Sequence, residues 1–259
     1  MNRKPSPSIP QAASQAGSPL LEWASFDDMQ QALCQQVTQA LSRRLDQDGR
    51  ARLLCAGGQS PARYLPALAR CDLDWSRVDL GLTDERWVPA DHPDSNLQFI
   101  DRHLRQGAAS QARLLPLHTG HARAADALPH LDAQIAQWHE VHPGHDMVLL
   151  GMGADTHFAS LFPMRPGVQE ALDPSSHARI VAVTPGEGVT PAIERVSLTL
   201  PELARSRQVV LIIQGQAKRD ALLAAWHDAG SAHALHPVSA LRQLDGPRAP
   251  QLHLWWYPE

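Results

Sequence analysis

The chain carries little net charge of either sign. Its 23 lysines and arginines face 27 aspartates and glutamates, a formal balance of −4. A protein devoted to nucleic acid or to an anionic membrane surface needs a basic stripe, so neither partner is expected. Any phosphate must be held locally, by a few placed cations and backbone amides. Cysteine is scarce too: Cys34, Cys55 and Cys71 are odd in number and form no C-x-x-C pair. That excludes a disulfide scaffold and a cysteine metal site, and reads as reduced thiols in the cytoplasm. Long apolar runs are missing. The longest, residues 147–154, falls far short of the ~20 residues that cross a bilayer. The first 19 residues are rich in proline, serine and alanine and have no apolar centre. They do not read as a secretory signal; a disordered tail is expected, followed by one α/β domain over 20–259.

What is present alternates. Ser25-Phe-Asp-Asp28 looks like a capping box and predicts a helix to about Leu45, with Met29, Leu33, Val37 and Leu41 on one face. "RLLCAGG" predicts a buried strand and "SPARYLPALAR" a helix with Pro61 in its first turn. "RVDLGLTDERWVP" reads as one strand ending in charge, and "SNLQFIDRHL" as a helix capped by Ser95. A longer helix is interrupted by, or begins at, Pro129; "HDMVLLGMG" comes next as a strand. "ARIVAVT", "RVSLTL", "QVVLIIQG" and "QLHLWWYP" are further strands, with a helix over "QAKRDALLAAWHD". Several strands are apolar throughout, which predicts a mostly parallel, doubly wound, Rossmann-like α/β sheet with helices on both faces. Ligands then belong outside the carboxyl ends of the strands.

Four polar clusters fall just there. Gly57-Gly58-Gln59-Ser60 joins a strand to a helix, either as a bare tight turn or as a backbone anion site. Asp84, Glu85 and Arg86 end a strand; the arginine can fork onto a phosphate, and the acids can orient a base or hold the arginine. "GMGADTHF" is a near miss to the dinucleotide fingerprint, with Thr156 in its third glycine position. His157 offers another account, a base that titrates near neutrality, with Asp155 two residues earlier to hold the loop or the ring. Arg195 and Lys218 place cations beside a strand end and a helix start. His118 and His121, and likewise His142 and His145, read as loop histidines, since no cysteine or carboxylate completes a metal set.

Taken together and in order, these blocks resemble the 6-phosphogluconolactonase family, grouped with the glucosamine-6-phosphate deaminases and ribose-5-phosphate isomerases. "LLCAGGQSPARYLPALA" is similar to its "GGSTP" phosphate loop and helix, and "VDLGLTDERWVPADHPDSN" to its "DER-x-VP…SN" segment. "HDMVLLGMGADTHFASLFP" resembles its histidine segment, and "RVSLTLPEL" and "VVLIIQGQAK" its later ones. The likeness spans about Leu53 to Leu222 and weakens from "HPVSAL" onward. Two departures stand out: Thr156 where the family has glycine, and Gln59 where it has serine. A threonine resists positive φ, so this loop is expected to differ slightly.

The resemblance implies hydrolysis of 6-phospho-D-glucono-1,5-lactone in the oxidative pentose phosphate route. His157 is then the base, assisted by Asp155. Gly57, Gly58, Gln59, Ser60, Asp84, Glu85, Arg86, Arg195 and Lys218 bind substrate. Neither metal nor organic cofactor is implied, the partner is a small phosphorylated lactone, and the protein is a monomer or weak homodimer. Two other readings stay open: an isomerase or deaminase with Asp84 or Glu85 as base, and a non-catalytic sugar-phosphate sensor.

Overall fold

The computed structural model describes residues 20–187, 189–227, 235–244 and 249–259. The expected tail lies outside them. Ten strands run in chain order: β1 (Leu20–Glu22), β2 (Ala51–Cys55), β3 (Val78–Leu82), β4 (Asp84–Arg86), β5 (Arg113–Leu115), β6 (His145–Leu150), β7 (Ile180–Val183), β8 (Arg195–Leu198), β9 (Ser206–Gln214) and β10 (Gln251–Tyr257). The helices are α1 (Phe26–Asp48), α2 (Gln59–Leu68), α3 (Asn96–His103), α4 (Ala124–Val141), α5 (Val168–Ala171), α6 (Leu200–Leu203) and α7 (Gln216–His227).

Seven strands form one sheet in the order β1-β10-β9-β6-β2-β3-β5, every neighbouring pair parallel. The strands β2, β3 and β6 are buried at every position. That is why they do not alternate: their apolar residues face both sides, and even Arg52, Asp79, His145 and Asp146 are buried. Ser25 caps α1 as its sequence suggested: its side chain accepts from the Asp28 amide, and its hydroxyl donates to the Asp28 carboxylate at 2.7 Å.

Two expectations need correction. The run "RVDLGLTDERWVP" is not one strand. It breaks at Thr83, and β4 leaves the main sheet to join a second, antiparallel sheet in the order β4-β8-β7. Thr83 keeps a foot in each: its amide donates to the Cys55 carbonyl and its carbonyl accepts from the Leu198 amide. The helix α4 neither begins nor ends at Pro129; it runs from Ala124 straight through it. Proline there lies early in the helix, so only the carbonyl one turn back loses a donor.

Candidate active site

A cavity of about 540 Å³ opens at the carboxyl ends of four adjacent strands, β9, β6, β2 and β3. Each strand delivers to it the residues just beyond its own end: residues 56–61 after β2, Asp84 and Arg86 beyond β3, Gly151 to Gly153 with His157 after β6, and Lys218 on α7 after β9. Arg195 reaches the same space from β8. Gly57, Gly58, Gln59, Ser60, Asp84, Arg86, His157, Arg195 and Lys218 thus line one cavity, although their sequence positions span more than half the chain.

The Gly57–Ser60 turn enters α2 with Gly58 at its cap position, at φ 115°, a conformation open to glycine. No side chain caps this helix start. Its first amides therefore face the cavity with the positive end of the helix dipole. The cations come from two directions. Arg86 donates from Nη1 to the Asp94 carbonyl at 2.8 Å, and Arg195 lies with its guanidinium 5.0 Å from the Phe162 ring centre. These two arginines stand opposite each other across the β4–β8 pair. Like charges so placed repel, and an anion between them would offset that cost. Burial, with the Arg86 charge acting in the same sense, lowers the Arg195 pKa from its usual value; Asp84 opposes both. Burial likewise lowers the Lys218 ammonium, against the pull of Asp155.

His157 Nδ1 lies 2.5 Å from Asp155 Oδ1, and its ring rests 4.3 Å from that of Phe162. Asp155 itself is not on the cavity wall; it sits against the Nδ1 edge of the ring. Burial pushes its carboxyl up, but the hydrogen bond and charge of His157 prevail and hold it below the ordinary carboxylate range. Gly153 makes the pair possible. A Cβ on it would sit 2.3 Å from His157 Cε1 and Nδ1.

Thr156 does adopt the backbone that its sequence seemed to resist, with φ at 71°. Thr156 is pinned on both sides: its amide donates to the Gly153 carbonyl and its carbonyl accepts from the Val238 amide.

Glu85 is directed elsewhere. Its buried carboxylate accepts from the amides of Arg86, Asn96 and Leu97 and from the Ser95 hydroxyl, all within 3.1 Å. It holds the start of α3 and does not line the cavity, contrary to the substrate-binding role that the family resemblance implied. Asp84 does line it, but its two oxygens accept from Thr83 Oγ1 at 3.0 Å and Ser160 Oγ at 2.6 Å.

Three polar cavity residues escaped the sequence reading: Asn96, Gln214 and Glu259. Asn96 looked like part of a helix cap, and its amide does bond the Asp84 carbonyl at 2.8 Å. Gln214 ends β9, so the strand-end rule that found its neighbours would have found it.

At the other end of the sheet, His139, His145 and Glu202 bring ligand-type atoms within 4.8 Å of one another. Their hydrogen bonds oppose a metal. The Gly144 amide donates to His139 Nδ1 at 3.0 Å, which makes Nε2 the protonated nitrogen, and that nitrogen donates to Glu202 Oε1 at 2.7 Å. With its Nδ1 lone pair taken by that amide and its Nε2 carrying the proton, His139 has no nitrogen free to ligate. Nor are His142 and His145 loop histidines: both are buried, the first capping α4 and pairing with Asp146, the second opening β6.

The sheet and its cleft define the class: an open parallel α/β protein with a cationic cavity at the carboxyl edge. Within that class, the chain belongs to the glucosamine-6-phosphate isomerases/6-phosphogluconolactonase family, whose model matches residues 24–249. It is 38% identical to a 6-phosphogluconolactonase of Pseudomonas aeruginosa over 245 residues, 94% of this chain and 96% of that one. It is 37% identical to one from Neisseria meningitidis over 198 residues, 76% and 84% of the two chains. Among solved structures, a 6-phosphogluconolactonase from Shewanella baltica superposes with a TM-score of 0.83 at 26% identity, covering 92% of this chain and 97% of that one. A monomeric glucosamine-6-phosphate deaminase shares the fold at a TM-score of 0.72 and 16% identity, over 92% and 96%.

Proposed function

We propose that this protein hydrolyses 6-phospho-D-glucono-1,5-lactone to 6-phospho-D-gluconate, a step of the oxidative pentose phosphate route. The observation that carries the reading is the meeting of His157, held by Asp155 from outside the wall, with three cations and a helix start in one cavity. The relatives' names supply the substrate. Residues 20–259 act as one unit in this reading, because both sheets feed one apolar core.

A δ-lactone is an activated ester, so one base and an oriented water suffice. Asp155 accepts from His157 Nδ1, which leaves Nε2 free to take a proton. Water attacks the lactone carbonyl carbon as its proton passes to Nε2. The tetrahedral oxyanion is met by backbone amides of the glycine turns. Collapse breaks the bond to the ring oxygen, and Nε2 returns the proton there. Meanwhile the Gly57–Ser60 turn, Arg86, Arg195 and Lys218 hold the 6-phosphate. That remote anchoring fixes the carbonyl beside the base.

The test is hydrolysis of lactone made in situ, corrected for spontaneous opening, in wild type and His157→Ala. The expected loss is about 10²–10⁴-fold, the usual worth of a general base. Equal rates in both would move the base elsewhere, and binding of 6-phosphogluconate without turnover would establish the sensor reading instead. Glucosamine 6-phosphate should release no ammonia, since Glu85 is spent on α3 and both Asp84 oxygens are engaged.

A further inference from the structure

Cys34 and Cys71 share no motif and stand 37 positions apart. The fold lays them together. Cys34 lies on α1, and Cys71 comes just after the last turn of α2. Cys71 Sγ is 3.9 Å from the Cys34 carbonyl oxygen and 3.9 Å from that of Ala67, so its sulfur lies directly against the Cys34 residue. Thr38 stands one turn along α1 from Cys34, and Arg70 directly precedes Cys71 in the chain. The neighbouring Cys34, with Thr38 and the Arg70 charge behind it, outweighs partial burial and brings the Cys71 thiol down to about 7. Cys34 moves upward, first through the adjacent Cys71 thiol and then through burial, and so keeps its proton. Both are partly exposed, and neither lines the active-site cavity. Cys55 is the contrast: fully enclosed at the end of β2, its thiol is pushed up to about 12 by burial.

We propose that Cys34 and Cys71 form a peroxide-sensitive dithiol, in which Cys71 is the attacking sulfur and Cys34 the resolving one. The Cys71 thiolate attacks an oxygen of a hydroperoxide. A sulfur–oxygen bond forms, the oxygen–oxygen bond breaks, and the leaving alkoxide or hydroxide takes up a proton. Cys71 is then a sulfenic acid. The Cys34 sulfur attacks the Cys71 sulfur and displaces its hydroxyl, which leaves as water with the Cys34 proton. Two thiols become one disulfide, and the hydroperoxide is reduced by two electrons. An external dithiol reverses the change. The bridge would tie the carboxyl end of α2 to the middle of α1, on the helix whose other end carries the Gly57–Ser60 turn.

The full-length reduced protein is exposed to hydrogen peroxide at neutral pH, alkylated, and read by intact mass and peptide mapping. The expected product has lost two hydrogens, carries a Cys34–Cys71 bridged peptide, and recovers both thiols with dithiothreitol. Cys55 should be alkylated only after unfolding. In Cys34→Ser the reaction should stop at a sulfenic acid on Cys71, captured by dimedone. In Cys71→Ser the oxidation of Cys34 should slow by about tenfold or more, as its thiolate is scarce at neutral pH. Bridges between molecules, irreversible oxidation of both sulfurs without a bridge, or fast sulfenic acid formation on Cys34 alone would each overturn the proposal. The wild-type map decides the matter even if one variant fails to fold.

Discussion

Gly153→Ala adds one methyl group and should disable the site without unfolding it. Its Cβ would lie 2.3 Å from His157 Cε1 and Nδ1 and 2.5 Å from Asp155 Oδ1. Relaxed carbon contacts need about 3.5–4.0 Å, so ring and carboxylate must retreat by about 1 Å or more. A displacement of that size costs on the order of 10²-fold in rate. The ring has somewhere to go, because 26% of the His157 side chain is exposed and it borders a cavity. The stability cost should therefore stay near the low end of the ~1–3 kcal/mol typical of overpacking. Lactone turnover above background gives kcat and KM, and a thermal melt gives the stability. Gly153→Ala combined with His157→Ala should be no slower than His157→Ala alone, since the first change acts only through the second residue. Turnover of Gly153→Ala at close to the wild-type rate, or multiplicative losses in the double variant, would refute the reasoning.

Lys218→Ala removes one charged hydrogen-bond donor from the phosphate site, worth about 1.5–3 kcal/mol. Affinity for 6-phosphogluconate, measured calorimetrically, should fall by about 10–100-fold, with KM rising more than kcat falls. Thr156→Gly should be stabilising or neutral: releasing a left-handed threonine returns about 1–2 kcal/mol, against ~0.5–1 kcal/mol for glycine's freer unfolded chain, as urea denaturation will read. Asp79 sits buried among Arg50, Arg52 and Arg113. Desolvation raises its carboxyl, but Arg113 and Arg50 win and hold it below the ordinary range. A depressed acid stabilises the fold above its unfolded value and loses that contribution as pH falls through the folded one. Asp79→Asn should then cost about 3–5 kcal/mol at neutral pH, by leaving Arg52 buried beside a neutral partner, and the gap to wild type should close in acid.

Legibility in the sequence tracked locality. The cap at Ser25, the apolar runs of β2 and β6 and the glycine turn into α2 are short-range features, written in neighbouring residues. The cavity could be foreseen because parallel sheets present their strand ends on one side, so residues just past each strand converge. What stayed hidden depends on distant partners. Nothing within "LGLTDERW" marks Thr83 as the point where the chain changes sheets; β8, over a hundred residues later, draws β4 away. Glu85 and Arg86 look equally available as letters, yet strand alternation turns one toward α3 and the other toward the cavity. His145 reads as a loop residue until Glu202 is seen to accept from it at 2.8 Å. Thr156 shows that a local preference can be overruled when two backbone bonds fix the loop.

The facing arginines of β4 and β8 have a metabolic corollary. Two cations that repel across a strand pair welcome any small oxyanion, not only a sugar phosphate. Inorganic phosphate is plentiful in every cell, so the cleft would seldom stand empty, and each arriving substrate would first have to evict a tenant. Assays in phosphate-free buffer would then understate the working KM.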